Sequence, residues 1–175
     1  MNQFPKFVLL LALTWSNALH ADDSGGLQKE LGNARHASPA EKIKTQKVML
    51  RTRDGYYLRA MLGGGDKVVA DVRDPKTSEV FIMEWVSNSI IRLRTRDGYY
   101  VSARLGGGDA VDATVKEPLT SEVFTLEWQD KSRTRVRLRT REGFYLHPIG
   151  GGGGEVDART RTPKTSEVFT LVAAS

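Results

Sequence analysis

Three kinds of polar or aromatic side chain in this sequence could do chemistry, and each occurs three times at a near-fixed interval. The first is the glutamate of Ser-Glu-Val-Phe: Glu79, Glu122 and Glu167. A carboxylate at that loop end can accept hydrogen bonds from neighbouring sugar hydroxyls. Equally, it can pair with an arginine and pin its own loop. The second is an arginine pair at period two: Arg51 with Arg53, Arg94 with Arg96, and Arg139 with Arg141. A guanidinium fork matches planar anions such as sulfate and carboxylate. The alternative is a belt of arginine–carboxylate pairs, which contribute little each when exposed. In the third copy the stripe runs back through Arg133, Arg135 and Arg137 to meet Arg139 and Arg141, a candidate anion-binding surface. The third kind is an aromatic after a turn: Tyr56, Tyr99 and Phe144. Successive strand residues face opposite ways, so Tyr57, Tyr100 and Tyr145 are read as packed. Tyr56, Tyr99 and Phe144 are then candidates either for stacking on a sugar ring or for packing inside the fold.

Little here points to catalysis. The histidines are His20, His36 and His147, and none belongs to a repeated nucleophile–base arrangement. There are no cysteines, and no His/Asp/Glu spacing suggests a metal site. The expectation is a non-enzyme with no cofactor and no metal. Lys plus Arg number 26 against 21 Asp plus Glu, a formal charge of +5. The excess is interleaved with acids and does not argue for nucleic acid.

The elements that must position these residues are repeats. Leu-Arg-Thr-Arg-Asp-Gly-Tyr-Tyr-Leu begins at Leu50, and close copies begin at Leu93 and Leu138. Each copy continues through a glycine run into Val-x-Ala and then Thr-Ser-Glu-Val-Phe. The first offset is 43 residues (Leu50 to Leu93, Phe81 to Phe124) and the second is 45 (Leu93 to Leu138, Phe124 to Phe169). Both ends of the unit shift equally, so the two extra residues fall in the connector. A unit that keeps its length is a structural module.

Each unit carries four strand-like stretches with turn signals between them. In the first they are residues 48–53, 56–61, 68–72 and 80–85. Three such units are too few for a propeller, and they lack the distinct caps of a solenoid. The pattern predicts an all-β fold, a β-trefoil of twelve strands in three pseudo-symmetric four-strand repeats. Its expected core includes Val48, Leu50, Thr52, Leu58, Val68 and Phe81 with their counterparts in the later copies. A closed sheet has no exposed edges, which suits a monomer.

Ahead of the repeats, Lys6, the apolar run 7–15 and small residues near Ala18 and Ala21 read as a secretory signal. The run is about half the length needed to span a bilayer, so no transmembrane segment is expected. The expected organisation is a signal peptide at 1–21, a flexible extension at 22–46 and a β-trefoil domain at 47–175. Its repeats are 47–89, 90–134 and 135–175. The expected location is extracellular or periplasmic.

The motif Leu-Arg-Thr-x-Asp-Gly-x-Tyr-Leu, followed by Gly-Gly-Gly, Val-x-Ala and Ser-Glu-x-Phe, resembles the fascin-like β-trefoil repeat across all three copies. That family includes actin-bundling proteins and secreted carbohydrate-binding modules. Its glycan-binding members carry Trp-Glu-x-Phe, the tryptophan stacking on glucose and the glutamate bonding its hydroxyls. Glu79, Glu122 and Glu167 match that glutamate, while Ser78, Ser121 and Ser166 stand at the tryptophan position. The resemblance implies a secreted, lectin-like protein with up to three equivalent sites and a glycan or polysaccharide partner. The alternatives are a protein-binding module with a partner such as actin, or a binder of anionic polysaccharide through the arginine stripe.

Overall fold

Alternation of apolar and polar residues produces the same four strands in each repeat. The computed structural model of the protein describes residues 43–175. The expected signal peptide and most of the expected extension lie outside the described residues. The first repeat supplies β1 (Thr45–Arg51), β2 (Tyr57–Ala60), β3 (Val68–Val72) and β4 (Phe81–Trp85). The second supplies β5 (Ile90–Thr95), β6 (Tyr100–Ala103), β7 (Val111–Val115) and β8 (Phe124–Trp128). The third supplies β9 (Arg135–Thr140), β10 (Tyr145–Pro148), β11 (Gly154–Thr160) and β12 (Phe169–Ala173).

The fold is all-β, a twelve-stranded sheet with antiparallel pairing. Six strands pair in a cycle: β1 with β4, β4 with β5, β5 with β8, β8 with β9, β9 with β12, and β12 with β1. The other six form the hairpins β2–β3, β6–β7 and β10–β11. Inward positions of the cycle bury Val48 and Leu50, Ile91 and Leu93, and Val136 and Leu138. Phe81, Phe124 and Phe169 are fully buried, as are Leu58, Val101 and Leu146. Among the described residues no helix is long and apolar enough to cross a membrane.

The first strand begins earlier than its apolar run suggests. Thr45 and Gln46 pair with Glu84 and Met83 of β4, so the ladder continues past the buried residues into the segment expected as extension. It also ends earlier, because Thr52 serves the turn. The Thr52 amide donates to the Tyr56 carbonyl at 2.7 Å, and its Oγ1 accepts from the Tyr56 amide at 3.1 Å. Gly55 closes that turn at φ +88°, a left-handed conformation open to glycine without steric cost.

Candidate functional site

The three glutamates lie beneath their loops, not on the surface. Glu79, Glu122 and Glu167 are only 2%, 4% and 3% exposed. Glu79 accepts from the Lys76 amide at 2.6 Å and from Ser78 Oγ at 2.8 Å. Glu122 accepts from the Leu119 amide at 2.7 Å, and Glu167 accepts from the Lys164 amide and from Ser166 Oγ at 2.9 Å. A buried carboxylate whose oxygens satisfy backbone amides is a loop clamp. Of the two roles their position allowed, ligand contact and loop pinning, these hydrogen bonds serve the second, while Glu79 also lines a surface depression. The clamp also accounts for the serine at the tryptophan position in two repeats, where the hydroxyl belongs to it.

Each of the three aromatics packs on a glycine run and stays partly exposed. Tyr99 packs on Gly64 and Gly65, Phe144 on Gly107 and Gly108, and Tyr56 on Gly152 and Gly153. Each ring therefore belongs to one repeat and each glycine run to the repeat before it, with the third returning to the first. The backbone follows the same order: Gly65 donates to the Ala113 carbonyl at 2.8 Å, Gly108 to Ala158 at 2.7 Å and Gly153 to Ala70 at 2.6 Å. A cation also lies over each ring: Arg73 at 4.3 Å from the Tyr56 centroid, Lys116 at 4.5 Å from Tyr99, and Arg161 at 4.2 Å from Phe144. Through these contacts Tyr56, Tyr99 and Phe144 act as joints between repeats, the packing role that their position allowed beside stacking. Sequence reasoning passed over the cations, although each stands 17 positions after its aromatic (56 to 73, 99 to 116, 144 to 161).

The arginines are largely tied to acids. Arg94 Nε donates to Glu84 Oε1 at 2.6 Å, and the Tyr100 hydroxyl donates to Glu84 Oε2 at 3.1 Å. One repeat on, Arg139 Nε donates to Glu127 Oε1 at 2.6 Å and the Tyr145 hydroxyl reaches Glu127 Oε2 at 3.2 Å. Burial first, then the neighbouring carboxylate, holds Tyr100 and Tyr145 above the ordinary phenol range. The hydrogen bond to glutamate raises Arg94 and Arg139. The third seam lacks this network. Val172 stands where the others have glutamate, paired with Met49, and Arg51 has no acidic partner among the described residues.

The extended stripe is also engaged. The Arg133 guanidinium lies 5.8 Å from the Trp128 ring centroid, and Arg135 lies 3.8 Å from Asp130. Arg137 donates to the Lys164 carbonyl at 3.0 Å. Arg53 and Arg96 bond their neighbouring Asp54 and Asp97. Of the expected anion-binding set only Arg141, and of the other ligand-binding arginines only Arg51, is exposed without such a partner among the described residues. The structure does not gather the set into one site.

Among the described residues, two shallow depressions bring several of these side chains together. One, on the first repeat, is lined by Arg59, Arg73, Asp74, Lys76, Ser78 and the candidate Glu79, with Arg59 forked onto Asp71 at 2.7 and 2.8 Å. The corresponding positions to Arg59 are Ser102 and His147, whose Nδ1 lies 3.1 Å from Asp157 Oδ1. The other depression lies at the seam of the first and second repeats, between Leu62, Thr77 and Arg96.

Residues 42–150 match a family model described as "Domain of unknown function (DUF7910)". The chain belongs to this family. No curated protein matches it significantly. Among solved structures it is similar to SeviL, described as "SeviL bound to asialo-GM1 saccharide", with a TM-score of 0.61. The match covers 75% of this chain and 100% of that one at 16% sequence identity. At that identity the likeness concerns the fold alone.

Proposed function

We propose that the DUF7910 chain is a secreted, non-catalytic, lectin-like β-trefoil that binds the saccharide part of a glycan or polysaccharide. The observation that carries this reading is the cyclic pairing of two strands from each of three repeats, in a fold shared with a saccharide-bound lectin. The motif resemblance to fascin-like repeats and the signal-like N-terminus support the same reading. Several shallow sites on one rigid body also suit it, because weak individual contacts gain by avidity on a multivalent glycan, by roughly 10² to 10⁴.

A glycan array read at physiological and at raised salt tests the proposal. Binding to neutral glycans that barely changes with salt is expected. Binding that collapses as salt rises would instead favour anion recognition, since screening reaches about 8 Å at physiological ionic strength. Absence of glycan binding together with co-sedimentation with actin filaments would favour the protein-binding alternative.

A further inference from the structure

Two leucines on the surface hold a left-handed backbone conformation that glycine would adopt at lower cost. Leu62 is 85% exposed at φ +57°, and Leu105, one repeat on, is 88% exposed at φ +55°. A side chain in the left-handed region clashes with its own backbone, and glycine removes the clash. The third repeat does remove it, placing Gly150 there at φ +66°. Neither leucine recovers the cost by burial. The recurring turn sets the backbone at all three positions, but not the choice of leucine over glycine at two of them, and strained side chains of that kind cluster at functional sites.

The surroundings of Leu62 fit such a site. With Leu62, the cleft at the first seam is lined by Gly63, Thr77, Ser78, Thr95 and Arg96. The same six residue types return as Leu105, Gly106, Thr120, Ser121, Thr140 and Arg141. At the third seam five of the six persist, as Gly151, Thr165, Ser166, Thr52 and Arg53. Only the leucine is lost. That seam is also drawn closed: Arg53 Nη1 donates to Thr165 Oγ1 at 3.1 Å. Arg96, by contrast, bonds only its neighbour Asp97 and keeps 69% of its side chain exposed.

We infer that the two leucine-walled seams each bind one sugar ring, and that the third seam is blind. A pyranose offers a face of C–H groups and a rim of hydroxyls. Leu62 supplies an aliphatic wall for the face, while Thr77, Ser78 and the Arg96–Asp97 pair supply donors and acceptors for the rim. The cleft measures about 90 Å³, well below the roughly 300–1,000 Å³ of enclosed small-ligand sites. It would take only the edge of one sugar ring, while the rest of the glycan stands in solvent. The inference rests on the carbohydrate-binding reading above, and predicts two working sites where the threefold repeat suggests three.

Replacing Leu62→Gly and Leu105→Gly tests it in the full chain, using a glycan array and then amide NMR titration with lactose and cellobiose. The double variant should lose array binding by about tenfold or more, as expected when both arms of a multivalent contact go. Its melting temperature should be unchanged or higher, because glycine suits φ near +57°. In the wild type, amide shifts should appear at Gly63 and Thr77 and at Gly106 and Thr120, with Gly151 and Thr165 silent. If the double variant binds as the wild type does, the cleft assignment is overturned and the lectin reading stands. If the wild type binds neither the array nor the two disaccharides, both are overturned.

Discussion

Gly64 lies flat against the ring of Tyr99, so closely that a β-carbon on the glycine would enter the ring. The contact joins the glycine run of the first repeat to the turn of the second. Gly107 with Phe144 and Gly152 with Tyr56 make the other two joints, so the three repeats lock head to tail around a cycle.

Gly64→Ala should therefore destabilise far more than a glycine replacement that meets only backbone strain. Gly55 supplies the comparison, since it stands at φ +88° and a β-carbon there would have no neighbour within 4 Å. Gly55→Ala is expected to cost about 1 kcal/mol from its left-handed backbone. Gly64→Ala, at φ +129°, adds overpacking against the ring for a total of about 3 kcal/mol. Chemical denaturation of both variants checks this, and equal losses would refute the interlocking role of Tyr99.

Val172→Glu should rebuild in the third seam the network that Glu84 and Glu127 make in the other two. Arg51 and Tyr57 occupy the positions of Arg94 and Tyr100. The new pair is partly exposed, so the gain is small, about 0.5 kcal/mol, and should shrink in salt. The reverse change, Glu84→Gln, leaves Arg94 without its acid and should cost about 1–2 kcal/mol. Thermal melts at low and high salt distinguish the two effects.

Tyr100 and Tyr145 should titrate above the ordinary tyrosine value of about 10, because both are desolvated and face a glutamate. Above that value the unfolded chain releases their protons while the native chain retains them. The native state then binds more protons, and stability falls as pH rises. Absorbance at 295 nm follows the titration, and Glu127→Gln should move the late step assigned to Tyr145 downward.

Asp130 should govern part of the response to acid. Its carboxylate accepts from the Thr134 hydroxyl, the Arg135 amide and the Ser132 hydroxyl, and these bonds hold its pKa well below the usual carboxylate range. A depressed native value gives stability that is present above the unfolded pKa of about 3.9 and lost as pH falls beneath it. Asp130→Asn should be less stable at neutral pH and lose less between about pH 4 and pH 2. A pH series of denaturant midpoints would show no difference in slope if the turn is held by other contacts.

Glu79→Ala should cost about 2 kcal/mol, the penalty of leaving a buried amide without an acceptor. Because the clamp lies under the loop, glycan binding at the seam beyond Leu105 should persist in this variant. Loss of all binding with unchanged stability would return Glu79 to the ligand site.

Much of the architecture was legible in the sequence. Alternation at Val48, Leu50 and Thr52, repeated at Ile91 and Val136, marks the buried face because a strand has period two. The interval of 43 and 45 residues between copies fixes four strands per unit. The bounds of β1 were less legible: Thr45 and Gln46 are polar, and only their partners on β4 make them strand. The roles of the recurring polar residues were not legible at all. Glu79 could have faced a ligand or a loop, and Tyr99 a sugar or a glycine.

The sequence by itself determined the repeated unit, its strands, its turns and its core, because these depend on the order of residues within about ten positions. The tertiary structure alone decided what each recurring side chain does. Glu84 meets Arg94 across β4 and β5, and Tyr99 meets Gly64 across 35 positions (99 less 64). Such partners are chosen by strand pairing and repeat packing. Repetition records that an environment recurs, while the identity of that environment is set by the neighbours the fold delivers.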